Sequence, residues 1–541
     1  MKTGTKRIMA IAALIALAAA SAFAGGGGGD KKGSGSGTSS SGSGWFAGRN
    51  FSKHMDIEFA SPGPGIDEGK DYNNGDDWVK KWTRDFNITF NIAPFTWENW
   101  DERLRIWINS GDAPEMFVYD YNHGEAQNYA EQGLVKKLPG DWKTKYPNLA
   151  RATANVPLSA MAEKAFGGTY YLFRPIYANN RPSPKLSPHF TAYVRKDWAK
   201  AAGVTLKPAM KISEILDYAR KVKAANPGKI QNFSPVVTRT GNFGYFFHFN
   251  NGFAGINGPT YYKGMDGKYH WAGADQSTLE TLKLLVSAYR EGLIDREFYT
   301  IQDPDDLGAF YTAGRSAVIL ADGMAWKMTE MEQHFKADLG LDFNDAVEMV
   351  TVLGEDGYYH AAPLTNYWAA VAFSPSIAND KLDRLLQMLD YSCTEEGQLE
   401  IRCGIKGVDW ELNGAEIVSH LRPGESLWDK YALLPVYVNM LILSDDFQFQ
   451  DPNYKSAFRQ KTKDMYVLRA QSSTAQTFPP EPDWNVVLHS SRAFNLASMV
   501  MADEYAALVI KSGDPEANWR AWVNEKTPLI QPVLNELDAK K

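Results

Sequence analysis

The residues best placed to do chemistry stand around Asp120, within Met116-Phe117-Val118-Tyr119-Asp120-Tyr121. Met116 to Tyr119 is a nearly continuous apolar run, the pattern of a buried parallel strand, and the carboxylate follows at its C-terminal end. Open α/β sheets bind ligands at that edge. A carboxylate there accepts paired hydrogen bonds from hydroxyls, and the rings of Tyr119 and Tyr121 beside it offer flat apolar surface to C–H faces. That is recognition chemistry for a polyhydroxylated solute.

Covalent chemistry has no comparable signature. The 9 His are scattered, with no metal-ligand spacing on a helix and no H-E-x-x-H. There is no phosphate-binding G-x-x-x-x-G-K-(S/T) loop and no G-x-S-x-G elbow. Gly63-Pro64-Gly65 followed by Gly69 imitates a dinucleotide fingerprint, but its prolines and Asp67-Glu68 argue against phosphate. Asp303-Pro304-Asp305-Asp306 lacks the alternating ligands and central Gly of a calcium loop and reads as a solvated acidic turn. A glycoside hydrolase needs only two carboxylates at a defined separation; with 64 acids such a pair can be drawn, but nothing in the sequence fixes one. No catalytic residue, metal or cofactor is assigned.

The elements that must position Asp120 are legible. Trp78, Trp82 and Phe86 recur every four residues on one face of a helix, and Ile88, Phe90 and Ile92 alternate as a strand. A second helix ends at Gly111-Asp112-Ala113-Pro114 and feeds the strand before Asp120. Met55 to Ala60 is a further strand, stopped by a Gly/Pro loop. Residues 277–291 read as a helix with Ser277 and Glu280 as a capping box and Gly292 as its stop. Asp514-Pro515 is an N-cap followed by an N1 proline, opening a helix that carries Trp519 and Trp522. The two cysteines, Cys393 and Cys403, flank a helix from Thr394 to Gly404. Ten helical residues separate them by roughly 15 Å, which predicts two free, buried thiols.

In combination, these blocks resemble the extracellular solute-binding proteins of family 1, the maltose-binding-like receptors of ABC importers. The motifs that carry the resemblance are Gly111-Asp112-Ala113-Pro114-Glu115 (with Glu where Asp is usual), Arg195-Lys196-Asp197-Trp198, Glu291-Gly292-Leu293-Ile294-Asp295, and the stretch from Glu395 to Trp410, which is similar to the long-chain subset. The resemblance runs from about residue 55 to about 540. It implies an α/β, two-lobed periplasmic-binding-protein-like fold with hinge strands and a ligand cleft between the lobes. It places residues 53–175 with about 305–368 in lobe 1, and 176–304 with 369–541 in lobe 2. Gly314 to Trp326 is similar to the family element whose Trp reaches from the first lobe into the cleft, which nominates Trp326. Tyr367 and Trp368 stand at a second crossing between lobes, with one expected to face the cleft because strand neighbours alternate. Arg174 follows the first crossing. Phe243 and Tyr245, in an aromatic second-lobe stretch, are nominated for the far wall. Trp97 follows the second strand's turn, and Trp271 ends an Asp266-Gly267-Lys268 hairpin, with its ring expected at the surface or the rim.

At 541 residues the chain is long enough for two or three domains. An aromatic content of 13%, with 16 Trp and 26 Tyr, is high; such rings fill a large core, and they can also line a site for sugars, whose C–H faces pack on them. The formal charge of −7 and dispersed basic residues argue against nucleic acid as the main partner. Lys2, Lys6 and Arg7, the apolar run Ile8–Ala20 and Ala22-Phe23-Ala24 compose a secretory signal peptide over 1–24, and residues 25–52 form a flexible Gly/Ser linker. The expected location is periplasmic or extracellular. No lipobox Cys is present, so the family's lipid anchor lacks its attachment residue. The expected function is therefore a monomeric substrate-binding receptor that closes by a hinge on a carbohydrate, with an oligosaccharide among the candidates, and delivers it to an ABC transporter permease, without bond chemistry. The alternatives are a secreted glycoside hydrolase or a receptor of the same fold for a peptide or other polar solute.

Overall fold

The structure, a computed structural model, describes residues 44–541 apart from 62–75, 94–99, 176–185, 187–189, 256–257, 302–303, 362–364, 415, 423–424, 426, 432–433, 442–450, 452–453, 478–481 and 541. The signal peptide, most of the linker, the Gly/Pro loop after Ser61 and Trp97 lie outside the described residues. Residues 44–52 belong to a separate unit, in which the Arg49 guanidinium lies over the Trp45 ring.

In chain order the principal strands are β1 (Met55–Ala60), β2 (Ile88–Ile92), β3 (Met116–Tyr119), β4 (Leu172–Pro175), β5 (Thr191–Arg195), β6 (Ala209–Lys211), β7 (Val236–Val237), β8 (Tyr261–Lys263), β9 (Tyr269–Trp271), β10 (Val318–Ala321), β11 (Val347–Leu353) and β12 (Tyr367–Phe373). They build two five-stranded sheets, ordered β2-β1-β3-β12-β4 and β6-β11-β5-β10-β7, plus the β8–β9 hairpin. Each sheet is the centre of one lobe.

The first lobe forms as the apolar pattern requires. β1 alternates buried Met55, Ile57 and Phe59 with exposed Asp56 and Glu58, and pairs in parallel with β2 and β3. The helix Asp77–Phe86 is capped by Asp76, whose carboxylate accepts the Val79 N–H, and buries Trp78, Trp82 and Phe86. These rings pack on Tyr391 and Tyr437. β12 runs antiparallel between β3 and β4. In the second sheet β5 is the antiparallel member, flanked by β10 and β11, which pair in parallel with β7 and β6.

The division of the chain differs from the one the motifs suggest. β10 and β11 lie in the second sheet, so the segment from about 305 to 353 belongs to lobe 2. β12 completes the first sheet, and the helices Asn379–Ser392 and Glu395–Cys403 also pack there: Arg384 donates to the carbonyl of Phe86, and Trp78 Nε1 donates 3.0 Å to the carbonyl of Glu400. The helix Ser456–Gln471 is back in lobe 2, where Thr462 donates to the carbonyl of Gly323 and Arg469 to that of Phe190. The described residues thus change lobe between β4 and β5, between β11 and β12, and between Leu441 and Tyr454. Periodicity identifies a strand but not the sheet it joins, because pairing is a non-local choice. Among local details, Asp275 rather than Ser277 occupies the N-cap of the helix Gln276–Arg290, without a side-chain cap bond. Both cysteines are free, with Cys403 buried and Cys393 only partly so. The apolar stretch Arg492–Ile510 satisfies the length and composition of a membrane span; here it is two helices, the second burying Tyr505, Leu508 and Val509 in the lobe 2 core.

Asp390 ties the late helix to the first lobe. Pro147 opens the helix Pro147–Ala154 without an N–H to satisfy, and the fully buried Asp390 carboxylate accepts the next two, from Asn148 at 2.8 Å and Leu149 at 3.0 Å. Asp390→Ala leaves those donors buried and unpaired, and is expected to lower the unfolding free energy by about 2 kcal/mol in urea titrations; a change within 0.5 kcal/mol, the usual scatter of surface substitutions, would refute this role.

Candidate functional site

The C-terminal ends of β1, β2, β3 and β4 and the start of β12 share one edge of the first sheet, which follows from the strand directions. Asp120 follows β3 there. Asn122 is the N-cap of the helix His123–Glu131, accepting the Glu125 N–H at 3.2 Å, so Asp120 is not consumed as a cap. Among the described residues no hydrogen bond or ion pair engages Asp120. Its carboxylate reaches solvent but is surrounded by protein, as on the wall of a cleft, and burial together with the nearby Asp101 carboxylate pushes its pKa up to about 6. Asp101, on the helix Trp100–Ser110, is raised as well, by burial partly offset by Arg105. Arg105 itself is taken up by Glu125 at 2.9 Å. A cavity of about 280 Å³ opens between Asp101, Arg105, Asp120, Asn122 and Glu125.

The aromatic wall stands beside it. The pairing of β12 shifts register between Tyr367 and Ala370, opposite Pro175 and Phe173. Both ring residues of this irregular turn of strand are half-buried at the edge. Tyr367 packs edge-on against Phe173 at 5.2 Å and Tyr121 at 6.0 Å. Trp368 packs at 5.7 Å against the buried Trp100, which donates to the carbonyl of Val118, and the Arg174 guanidinium lies 5.5 Å from the Trp368 ring. The structure thus brings Asp120, Tyr367, Trp368 and Arg174 together, with Trp100 as the support beneath. Tyr119 and Tyr121 are more structural than the sequence suggests. Tyr119 is 4% exposed and packed edge-on against Tyr129 and tilted against Tyr171; Tyr121 is 9% exposed with its hydroxyl 2.8 Å from His123 Nδ1. They form the floor under Asp120.

On the second lobe the corresponding edge carries the loop after β10. Tyr193 donates 2.6 Å to the carbonyl of Asp322, and Trp326, half-buried, stands in the first turn of the helix Ala325–Leu339. Trp326 therefore belongs to lobe 2 and not to lobe 1, because the strand before it pairs with β5 and β7. Tyr245 stacks on Phe190, which precedes β5. Two nominated residues leave the site. Phe243 is fully buried and stacked 4.8 Å from Phe298, since its side of the helix Thr240–Asn250 faces the core. Trp271 is 4% exposed and packs on Trp522; it lies on the inner face of its hairpin, the parity opposite to that expected. The lobes touch where Ser490 of lobe 2 meets Gly124 and donates 3.4 Å to Gln127 of lobe 1. A side chain at Gly124 would meet Ser490 at 3.2 Å, so glycine permits this approach. Among the described residues no three His, Cys, Asp or Glu side chains converge as a metal site.

A carboxylate held in the folded chain at about 6, against an ordinary value of 3.8, binds its proton more tightly folded than unfolded. Its ionisation therefore costs stability, a cost absent below 3.8 and fully present above about 6. Asp120→Asn is expected to melt above the native chain at pH 8 and level with it at pH 3.5. Equal melting at both pH values would show that the carboxylate is not confined.

No family model and no curated protein sequence matches this chain. Solved structures do. The alginate-binding protein AlgQ2, solved without calcium ion, superposes with a TM-score of 0.66 at 16% identity, covering 90% of this chain and 98% of that one. The Streptococcus pneumoniae ABC-transporter substrate-binding protein FusA in complex with kestose gives 0.64 at 17% identity, with the same coverage. An ABC-transporter-associated solute-binding protein from Bifidobacterium longum infantis, described as binding HMO, gives 0.56 at 14%, covering 90% and 98%. At nearly full length on both sides, the chain has the two-lobed fold of the ABC-transporter solute-binding proteins.

Proposed function

We propose that this chain is an extracytoplasmic receptor that binds a carbohydrate between its lobes and presents it to an ABC importer. The observation that carries this reading is the pairing of an unengaged, confined carboxylate with a supported indole at the ligand edge of the first sheet. Asp120 supplies acceptors for two hydroxyls, Trp368 a face for the C–H surface of a ring, and Arg174 a donor beside it. The solved proteins of this fold that bind kestose and HMO support the ligand class. The three crossings act as the hinge, and the contact of Ser490 with Gly124 is where the lobes meet when the cleft narrows. Ligand binding shifts the population toward that state, which is the form a permease would read. The mechanism requires no nucleophile, acid or base. The signal peptide and export read from the sequence belong to the same proposal.

A thermal-shift screen against sugars, peptides and polyols tests the class. A carbohydrate is expected to raise the melting temperature by mass action. Asp120→Asn should weaken the binding of that sugar about tenfold to a hundredfold, from the loss of charge-assisted hydrogen bonds, and Trp368→Ala about tenfold. Stabilisation by peptides alone, or full affinity in Asp120→Asn, would overturn the reading.

A further inference from the structure

A second ring platform stands on lobe 2, beside the crossing that leads into β12. The β8–β9 hairpin pairs Tyr261 with Trp271 and Tyr262 with His270. Because strand neighbours point to opposite faces, Tyr261 and Trp271 enter the core while Tyr262 and His270 stand outside. Phe253 stacks on Tyr262 with ring centres 4.5 Å apart and planes 11° apart, and His270 stacks on Tyr262 at 5.8 Å. Tyr262 is thus already stacked, and the half-buried Phe253, which lines both cavities beside it, is the ring that can offer a flat face to a ligand.

A carboxylate is held next to this stack. Tyr262 donates 2.9 Å and Asn251 donates 2.7 Å to the same oxygen of Asp275, Oδ2. Among the described residues, no hydrogen bond reaches the other oxygen, Oδ1. Two adjoining cavities, of about 310 and 510 Å³, share Gly252, Phe253 and Tyr262 as a common wall. Asp275 lines the larger with Gln476 and Ser277, and Thr365 lines the smaller. Thr365 is two residues before Tyr367, whose ring belongs to the Asp120 wall. The smaller cavity therefore reaches the crossing that leads into β12.

In the receptor reading a single sugar ring is already served by Trp368 and by Asp120, which lines the 280 Å³ cavity. A flat ring and a half-engaged carboxylate further along have a use only for a ligand that continues. We propose that Phe253, Tyr262 and Asp275 form a second carbohydrate subsite, so that the ligand is an oligosaccharide spanning both lobes, with one residue at Asp120 and Trp368 and a later one stacked on Phe253 and hydrogen-bonded to Asp275. This rests on the receptor reading above.

Calorimetric titration of the full chain with maltooligosaccharide and fructooligosaccharide ladders, from the monosaccharide upward, tests it. In the native chain, affinity should rise with chain length in at least one ladder. Phe253→Ala should abolish about a tenfold part of that rise while leaving the shortest binder unaffected. Phe253→Leu, which keeps apolar bulk but not the flat face, should do the same, and Asp275→Asn should act on the long members alone. A monosaccharide that binds as tightly as the longest member, or substitutions that weaken short and long members alike, would overturn the subsite and leave the receptor reading standing. Failure of every ladder member to bind the native chain would overturn both.

Discussion

The arrangement depends on one pairing, the antiparallel insertion of β12 between β3 and β4. The strand enters from the lobe 2 crossing at the ligand edge of the first sheet, with Tyr367 opposite Pro175 and Ala370 opposite Tyr119. That register does two things at once. It makes the crossing part of a sheet, so that the crossing is anchored in the core of lobe 1. It also delivers Tyr367 and Trp368 to the end of β3, where Asp120 emerges. A shift of one residue would turn the ring residues to the other face and separate them from the carboxylate.

At the proposed site, Asp120 differs from the charges around it. Neighbouring charges of lobe 1 are matched, with Arg105 on Glu125 and Lys381 on Glu115. Asp120 is not, and burial together with the nearby Asp101 carboxylate raises the cost of ionising it within a partly enclosed pocket. An unligated chain bears that cost, and a ligand with hydroxyl donors relieves it. The rings beneath are held from below by Trp100, Phe173 and Tyr121, so the aromatic wall is formed before the ligand arrives.

Much of lobe 1 was legible from local pattern. The Trp78–Trp82–Phe86 face, the alternation in β2, and the apolar run that ends at Asp120 are short-range signals, and each fixes an element and its buried side. Asp120, Tyr367, Trp368 and Arg174 converge because all four lie at strand ends on one edge. The losses occurred where a decision was non-local or turned on parity. Nothing within the β10 stretch says that it pairs with β5, so the motif pattern alone points Trp326 to lobe 1 while the pairing puts it on lobe 2. In the hairpin the choice between Trp271 and its neighbours depends on which face the core occupies, and the larger ring was inside while Tyr262 was out. In the helix Thr240–Asn250 the run of aromatics conceals its own amphipathicity: Phe243, Phe246 and Phe247 are core, and Tyr245 alone reaches a half-exposed stack. Phe253 carried no signal in sequence, because its role comes from a stacking partner on a separate hairpin.

The most direct measurement of the central claim is a crystal structure of the chain with a bound oligosaccharide. The account predicts a sugar ring lying on the Trp368 face, two of its hydroxyls donating to the Asp120 carboxylate, and protein from both lobes around it. An oligosaccharide bound on the outside of one lobe, with Asp120 and Trp368 still facing solvent, would contradict it.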